Sequence, residues 1–143
     1  ARLQEACFGA YNDWLIEYCR AAPKRLIGIA AIPVYDIGAA VKELERCAKA
    51  GMKGSIIWQA PHPELPFRSG HYGKFWAASQ DLNMPVLFFY GKTDWVAVGP
   101  SQYKDVHFPN QLLWGSDVGH VPFLENPADL EKAIDQFRGR AGL

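Results

Sequence analysis

Three polar residues in the second half of the chain have the types and spacing that acid–base chemistry requires. Asp94 follows the apolar run PVLFFY, and Asp117 and His120 follow the apolar run QLLWGS. A carboxylate that accepts a hydrogen bond from one imidazole nitrogen fixes the tautomer of the ring and stabilises its protonated form. Asp94 and His120 therefore fit a catalytic acid–base pair. A turn-forming aspartate and an ordinary loop histidine fit the same spacing equally well.

The same stretch offers ligands for a metal ion. Asp117 and His120 lie three residues apart, and carboxylate oxygens and imidazole nitrogens both bind divalent metals. The chain has no H-x-H and no H-E-x-x-H spacing, the patterns typical of a complete metal site. Two interpretations stay open: a site without any cofactor, or a divalent metal bound by Asp117 and His120.

No nucleophile accompanies the acid–base pair in the sequence. The chain lacks the G-x-S-x-G turn that exposes a catalytic serine. Cys7 and Cys47 occupy apolar positions of helical patterns, so we interpret both thiols as core residues.

Alternating strand and helix patterns predict where these residues lie. Strand patterns cover residues 25–34, 54–59, 85–90 and 111–116, and helical patterns cover residues 3–20, 36–51, 73–83 and 126–138. Such alternation implies parallel strands joined by right-handed crossovers. The carboxyl ends of parallel strands share one edge, so Asp94, Asp117 and His120 are expected together there. His62 and His71, in a Pro- and Gly-rich loop after the second strand, belong to the same edge or are merely loop residues.

The helical patterns also predict which side chains enter the core. Asp36 is expected to cap the second helix, and Gly51 to follow its end. The core positions predicted for the first helix are Leu3, Cys7, Phe8, Tyr11, Leu15 and Cys19, and those for the last helix are Leu130, Ala133, Ile134 and Phe137.

Composition limits the partners of the chain. Its 143 residues contain 15 basic and 15 acidic side chains, so a small-molecule substrate or another protein is expected rather than nucleic acid or an anionic membrane. Three cysteines without C-x-x-C spacing argue against a disulfide framework and favour a cytoplasmic location. No apolar run approaches the roughly 20 residues that span a bilayer.

Residues 10–87, including RLIGIAAIPVYDIGAAVKELERCAKAGMKGSIIW, resemble amidohydrolase-related metal-dependent hydrolases and decarboxylases. The resemblance implies a βα barrel, a metal bound by an H-x-H pair and a further histidine, and an aspartate in a late GSD. In this chain the H-x-H pair is absent, Phe88 or Phe89 stands where the further histidine is expected, and Asp117 in LLWGSD matches the aspartate.

Residues 85–139 are similar to a different family. PVLFFYGKTDWV and GHVPFLENPADLEKAIDQF resemble the C-terminal part of an α/β-hydrolase. That resemblance implies the triad acid at Asp94 and the triad histidine at His120, while the nucleophile elbow of the family is absent. The two resemblances together indicate a chimera, of recombined or engineered origin, with an amidohydrolase-like part at 1–84 and an α/β-hydrolase-like part at 85–143.

The sequence thus predicts a single α/β domain over residues 1–143, with about four parallel strands and flanking helices. An open three-layer sheet is favoured, and a half βα barrel that closes by forming a homodimer is the alternative. The expected function is that of a hydrolase-like domain of ester or amide type whose incomplete site contains Asp94 and His120. A catalytically silent scaffold that retains relics of two hydrolase sites is the competing hypothesis.

Overall fold

The order of the elements along the chain follows the predicted alternation of helices and strands. The computed structural model describes residues 2–57, 62, 64–91, 111–116 and 127–141. The helices are α1 (Arg2–Arg20), α2 (Ile37–Lys49), α3 (Gly73–Asp81) and α4 (Pro127–Ala141), with a 3-10 turn at Gly70–Tyr72; the strands are β1 (Ile29–Ala31), β2 (Gly54–Ile56), β3 (Val86–Gly91) and β4 (Gln111–Ser116). In this part of the chain no helix is both long and apolar enough to cross a membrane.

The described strands pair in parallel in the order β1-β2-β3-β4. Ala30 pairs with Ser55, Ser55 pairs with Val86, and the β3–β4 ladder runs from Val86 and Gln111 to Gly91 and Ser116. The prediction of an α/β fold with parallel pairing is therefore confirmed. Residues 58 and 59, at the end of the second strand pattern, lie outside the described residues.

Strand β1 is shorter than the apolar run that predicts it. Before it, the N–H groups of Arg25 and Leu26 donate to the carbonyl of Ala22, so the beginning of the run is a turn. After it, Ile32 still donates to the carbonyl of Ile56, at 3.0 Å, one residue beyond the last residue of the strand. Turn hydrogen bonds thus shorten the strand at its beginning although the sequence is apolar there.

Helix α2 begins and ends where its sequence predicts. The Asp36 side chain accepts a hydrogen bond from the N–H of Ala39 at 2.9 Å, which satisfies one of the free donors of the first turn. Gly51 follows the helix with a φ of 94°, a left-handed conformation that suits glycine. The inward side chains Ala40, Leu44 and Cys47 are buried.

The Pro- and Gly-rich loop before α3 is tied to the core over its described residues. Phe67 is buried, the Tyr72 hydroxyl donates to the carbonyl of Leu65 at 3.0 Å, and the Trp76 indole donates to the carbonyl of Phe67 at 3.2 Å. The core around this loop contains buried residues of β1, α2, the loop, α3 and β3 and of the segments that follow β1 and precede β3: Ala30, Ile32, Val34, Leu44, Cys47, Phe67, Phe75, Met84 and Val86.

The prediction of which face of α1 enters the core holds only in part: Leu15 packs against the core, and Phe8 and Cys19 are half-buried. Leu3 is 80% exposed, and Cys7 and Tyr11 are also exposed, whereas Asn12 and Ile16 are the buried residues of the helix. The physical reason is that the main-chain groups of β1 need hydrogen-bond partners, and a polar side chain supplies them. An assignment based on apolar spacing alone places that polar residue outside.

The prediction for the last helix holds in part. Ala133 and Phe137 of α4 are buried, but Ile134 is 41% exposed, so its assignment to the core is wrong. The Phe137 ring lies directly over Gly54 of β2: a Cβ at that glycine would come within 2.5 Å of Cζ of Phe137. Glycine at position 54 therefore permits the close approach of α4 to the sheet.

Candidate functional site

Strands β3 and β4 end at neighbouring positions on one edge of the sheet. Gly91 and Ser116 are the last residues of these strands and are paired with each other. Asp94 follows Gly91 by three residues in the sequence, and Asp117 and His120 follow Ser116 by one and four residues. These three residues lie outside the described part of the chain, so the acid–base pair and the metal site stay predictions.

The two histidines of the loop after β2 make local contacts. His62 is exposed, and its Nδ1 accepts a hydrogen bond from the N–H of Glu64 at 3.3 Å. His71 is also exposed, and its ring lies edge-on to Tyr72 at a centroid distance of 4.9 Å. Both contacts join near neighbours in sequence, which is the behaviour of ordinary loop histidines.

The described residues do not fit a metal centre. Among them, no three His, Cys, Asp or Glu side chains come together in a group that could bind a metal ion. Asp117 and His120 are outside this part of the chain. No step of chemistry through a metal is therefore derived from the described residues.

A polar cluster connects α1, β1 and α2 close to the carboxyl end of β1. The Asn12 carboxamide binds both main-chain groups of Ala31: its Nδ2 donates to the carbonyl at 3.0 Å, and its Oδ1 accepts from the N–H at 2.9 Å. The same Nδ2 donates to Oε1 of Glu43 at 2.8 Å. The main-chain groups of Ala30 and Ile32 are directed toward β2. The N–H and carbonyl of Ala31, the residue between them, are therefore directed to the open side of β1.

Glu43 is the centre of this cluster. Arg46 donates to it through Nε and Nη2, each at 2.8 Å, and also donates to Asp13 of α1 at 2.6 Å. Burial alone would raise the pKa of Glu43, but the hydrogen bonds from Arg46 and Asn12 outweigh burial and hold this pKa below its ordinary value. Glu43 is thus a stable carboxylate that holds Asn12 in position.

Cys47, next to Glu43, does not serve as a nucleophile in this cluster. Burial, followed by the negative charge of Glu43, raises the pKa of the Cys47 thiol to about 12. The thiolate is the reactive form of cysteine, so this side chain is inert near neutral pH. The interpretation of Cys47 as a core residue is confirmed, whereas Cys7 is exposed and its assignment to the core is wrong.

The polar cluster therefore positions the main chain and performs no chemistry itself. Ala31 is the last residue of β1, and the chain from Ile32 to Asp36 leads from it to the beginning of α2. Sequence reasoning missed Asn12 and Glu43. An asparagine within a helix otherwise attached by apolar side chains was the available signal, because buried amides require partners.

A small cavity of about 120 Å³ lies at the opposite edge of the sheet. Its walls include Ile16, Cys19, Gly28 and Met52, with Lys53 beside them. Gly28 and Lys53 directly precede β1 and β2, so this cavity belongs to the amino ends of the strands. It is separate from the edge where the sequence predicts chemistry.

Comparisons with known proteins were consistent in sequence and in fold. A family model described as Amidohydrolase matches residues 1–106. Gamma-resorcylate decarboxylase from Polaromonas sp. is 35% identical over 80 residues, which cover 52% of this chain and 24% of that protein. The enzyme of the same name from Rhizobium radiobacter is 33% identical over 84 residues, with the same coverage.

The crystal structure of 2,6-dihydroxybenzoate decarboxylase from Rhizobium superimposes with a TM-score of 0.56 and 28% identity, covering 61% of this chain and 29% of that chain. The matched region thus spans about a quarter of the length of the curated relatives. The match of residues 1–106 confirms the amidohydrolase resemblance and extends past residue 85. The resemblance of residues 85–139 to α/β-hydrolases stays a prediction, and so does the chimera.

Proposed function

The chain belongs to the amidohydrolase family, and we propose that it supports acid–base chemistry on a small carboxylic substrate at the carboxyl edge of the sheet. His120 is the proton-transferring group, and Asp94 orients its ring. The observation that carries the proposal is the pairing of Gly91 with Ser116. In this register β3 and β4 end side by side, three residues before Asp94 and four residues before His120 in the sequence, which supports a common site at this edge.

Two reactions are within the chemistry of such a pair. In hydrolysis, His120 takes a proton from water as the water attacks an ester or amide carbonyl, and returns it to the leaving group. In decarboxylation, His120 gives the proton that replaces carbon dioxide on the substrate carbon. The names of the relatives, gamma-resorcylate decarboxylase and 2,6-dihydroxybenzoate decarboxylase, support the second reaction.

The test follows both reactions with the same set of proteins. Purified protein is incubated with 2,6-dihydroxybenzoate and, separately, with activated esters such as p-nitrophenyl acetate, each with and without added zinc or manganese. The proposal expects turnover of at least one substrate that falls by about 100-fold or more in His120→Ala. It expects a similar loss in Asp94→Asn. The control is His62→Ala, in the loop after β2, which should keep the activity. Absence of turnover under all conditions contradicts the proposal.

A silent scaffold is the second candidate, and a specific observation favours it. The sequence lacks an H-x-H pair, and no three potential metal ligands come together among the described residues. This hypothesis expects no stoichiometric metal in the purified protein and no measurable loss when Asp94 or Asp117 is replaced. Stoichiometric metal in the purified protein that is lost in an Asp117→Asn variant would contradict the silent scaffold, and turnover that depends on His120 would contradict it as well.

We also propose that the sheet is open and covered on both faces, rather than half of a barrel that closes with a second copy. Ala30, Ser55 and Val86 lie on the face that holds the main core, and Gly54, on the opposite face, contacts Phe137 of α4. Asn12 occupies the outward groups of Ala31, where another strand would pair. Both contacts support an open three-layer sheet.

A further inference from the structure

Helix α1 has an exposed apolar surface on the side away from the sheet. At about 100° per residue, seven positions fall within a stripe roughly 120° wide. We call this stripe the outer face of α1, and its residues are Leu3, Gln4, Cys7, Ala10, Tyr11, Trp14 and Tyr18. The opposite side of the helix holds the buried Asn12 and Ile16.

The outer face is continuous and uncharged. Tyr11, Trp14 and Tyr18 are 45%, 55% and 52% exposed, and their rings contact one another at centroid distances of 5.8 Å and 5.4 Å. All five charged residues of the helix, at positions 2, 5, 13, 17 and 20, lie outside the stripe. A helix that is apolar on two sides is usually covered on both.

We propose that the outer face of α1 is the interface of a homodimer in which α1 of a second copy packs antiparallel. A two-fold interface requires a self-complementary surface. With the two-fold axis passing between positions 12 and 13, Tyr11 faces Trp14 of the second copy, Cys7 faces Tyr18, and Leu3 faces Ala22 just beyond the helix. Every large apolar residue of the outer face then meets another uncharged residue.

The size of the stripe fits a weak dimer. An aromatic side chain has about 150–250 Å² to bury, so the exposed halves of three rings together with Leu3 offer roughly 400 Å² per copy. The pair buries at most roughly 800 Å², which is less than the roughly 1,200 Å² at which standard specific interfaces begin and falls in the range of weak, transient contacts. The contact is therefore concentration-dependent, and it leaves the Asn12 contact with β1 in place.

Sedimentation velocity over a range of protein concentrations tests the proposal. The full chain is expected to shift from monomer to dimer as concentration rises, and Trp14→Lys is expected to weaken the dimer by about tenfold or more. Tyr35→Lys is the matched control, because Tyr35 is 48% exposed and lies outside α1. A chain that is monomeric at every concentration overturns the proposal, whether the face is bare or covered by another part of the chain.

A cross-link tests the antiparallel register. Tyr18→Cys is expected to form a disulfide with the exposed Cys7 of the second copy under mild oxidation, giving a covalent dimer on a non-reducing gel. The same substitution combined with Cys7→Ser removes that bond. A covalent dimer that persists in the double variant, or none in Tyr18→Cys, contradicts this interface. These variants change only exposed side chains, so we expect them to fold normally. Circular dichroism checks this.

Discussion

The two terminal helices of the described chain are attached to the sheet by different kinds of contact. Helix α1 is attached to the edge of β1 by the hydrogen bonds of Asn12 with Ala31, which Glu43 supports. Helix α4 is attached over β2 by the buried side chains Ala133 and Phe137, with Phe137 lying against Gly54. The first attachment is polar and directional, and the second is a matter of close apolar packing.

The difference shows what each kind of contact accomplishes. The Asn12 carboxamide matches the spacing of one N–H and one carbonyl, so it fixes the position of α1 along β1. The Phe137 contact depends on the absence of a side chain at residue 54, so it fixes how closely α4 approaches the sheet. A polar contact at an edge and an apolar contact on a face respond differently to substitution and to pH.

Replacing Phe137 is expected to have the largest effect. Phe137→Ala should lower the free energy of unfolding by about 3–5 kcal/mol, because a buried ring is lost and a cavity remains over Gly54. Urea denaturation measures this loss. The control is Ile134→Ala on the same helix, which should cost much less because Ile134 is 41% exposed. Equal losses in the two variants would mean that the Phe137 contact does not attach α4.

Replacing Asn12 is expected to come next. Asn12→Ala leaves the outward N–H and carbonyl of Ala31 without their partner, and we expect a loss of about 2–4 kcal/mol in the free energy of unfolding. Asp13→Asn is the control within the same cluster. Asp13 forms an exposed ion pair with Arg46, so its loss should cost less than about 1 kcal/mol. If both variants unfold at the same urea concentration, the polar attachment of α1 is unimportant.

The pH dependence of stability separates the two attachments further. Because the pKa of Glu43 is lower in the folded protein, its contribution is fully present above the unfolded-state pKa and is lost as the pH falls through the folded-state pKa. Unfolding experiments between pH 7 and pH 3 should show a smaller acid-induced loss in Glu43→Gln than in the parent protein. The Phe137→Ala variant should keep the full acid-induced loss, since no titrating group takes part in that contact.

Thiol labelling of Cys47 reports on local opening of the polar cluster. At pH 8, Cys47 should react with iodoacetamide about 100-fold or more slowly than the exposed Cys7, because its pKa is raised to about 12 and its side chain is buried. Mass spectrometry of labelled peptides measures both rates. For each kcal/mol of stability lost, Asn12→Ala should accelerate the labelling of Cys47 more than Phe137→Ala does. Equal acceleration would show that the two helices open together.

The sequence predicted the local elements well because their causes are local. Asp36 caps α2 and Gly51 follows its end, as side-chain chemistry and glycine conformation require. Ala133 and Phe137 were recognised from helical spacing. The apolar run predicts β1 too long, because the turn hydrogen bonds of Arg25 and Leu26 precede the strand.

The contacts between elements were not predictable in the same way. Apolar spacing assigned Tyr11 to the core, but the open edge of β1 selects Asn12, a residue that spacing alone excludes. For the candidate site, the sequence named Asp94, Asp117 and His120, and the structure adds the register that aligns the starts of their loops. All three residues lie outside the described part of the chain.

By itself, the sequence determined the α/β class and the parallel pairing of its strands, because propensity, capping and periodicity act over a few residues. The resemblance to amidohydrolases rests instead on the strings of residues that carry it, such as RLIGIAAIPVYDIGAAVKELERC. Only the tertiary structure decided which face of α1 is buried, that Glu43 is held as a carboxylate, and that Gly54 lies beneath Phe137. Those outcomes depend on hydrogen-bond partners and close contacts between residues far apart in the chain. The buried face of α1, the pKa of Glu43 and the contact of Phe137 with Gly54 are therefore set only when the elements pack against each other.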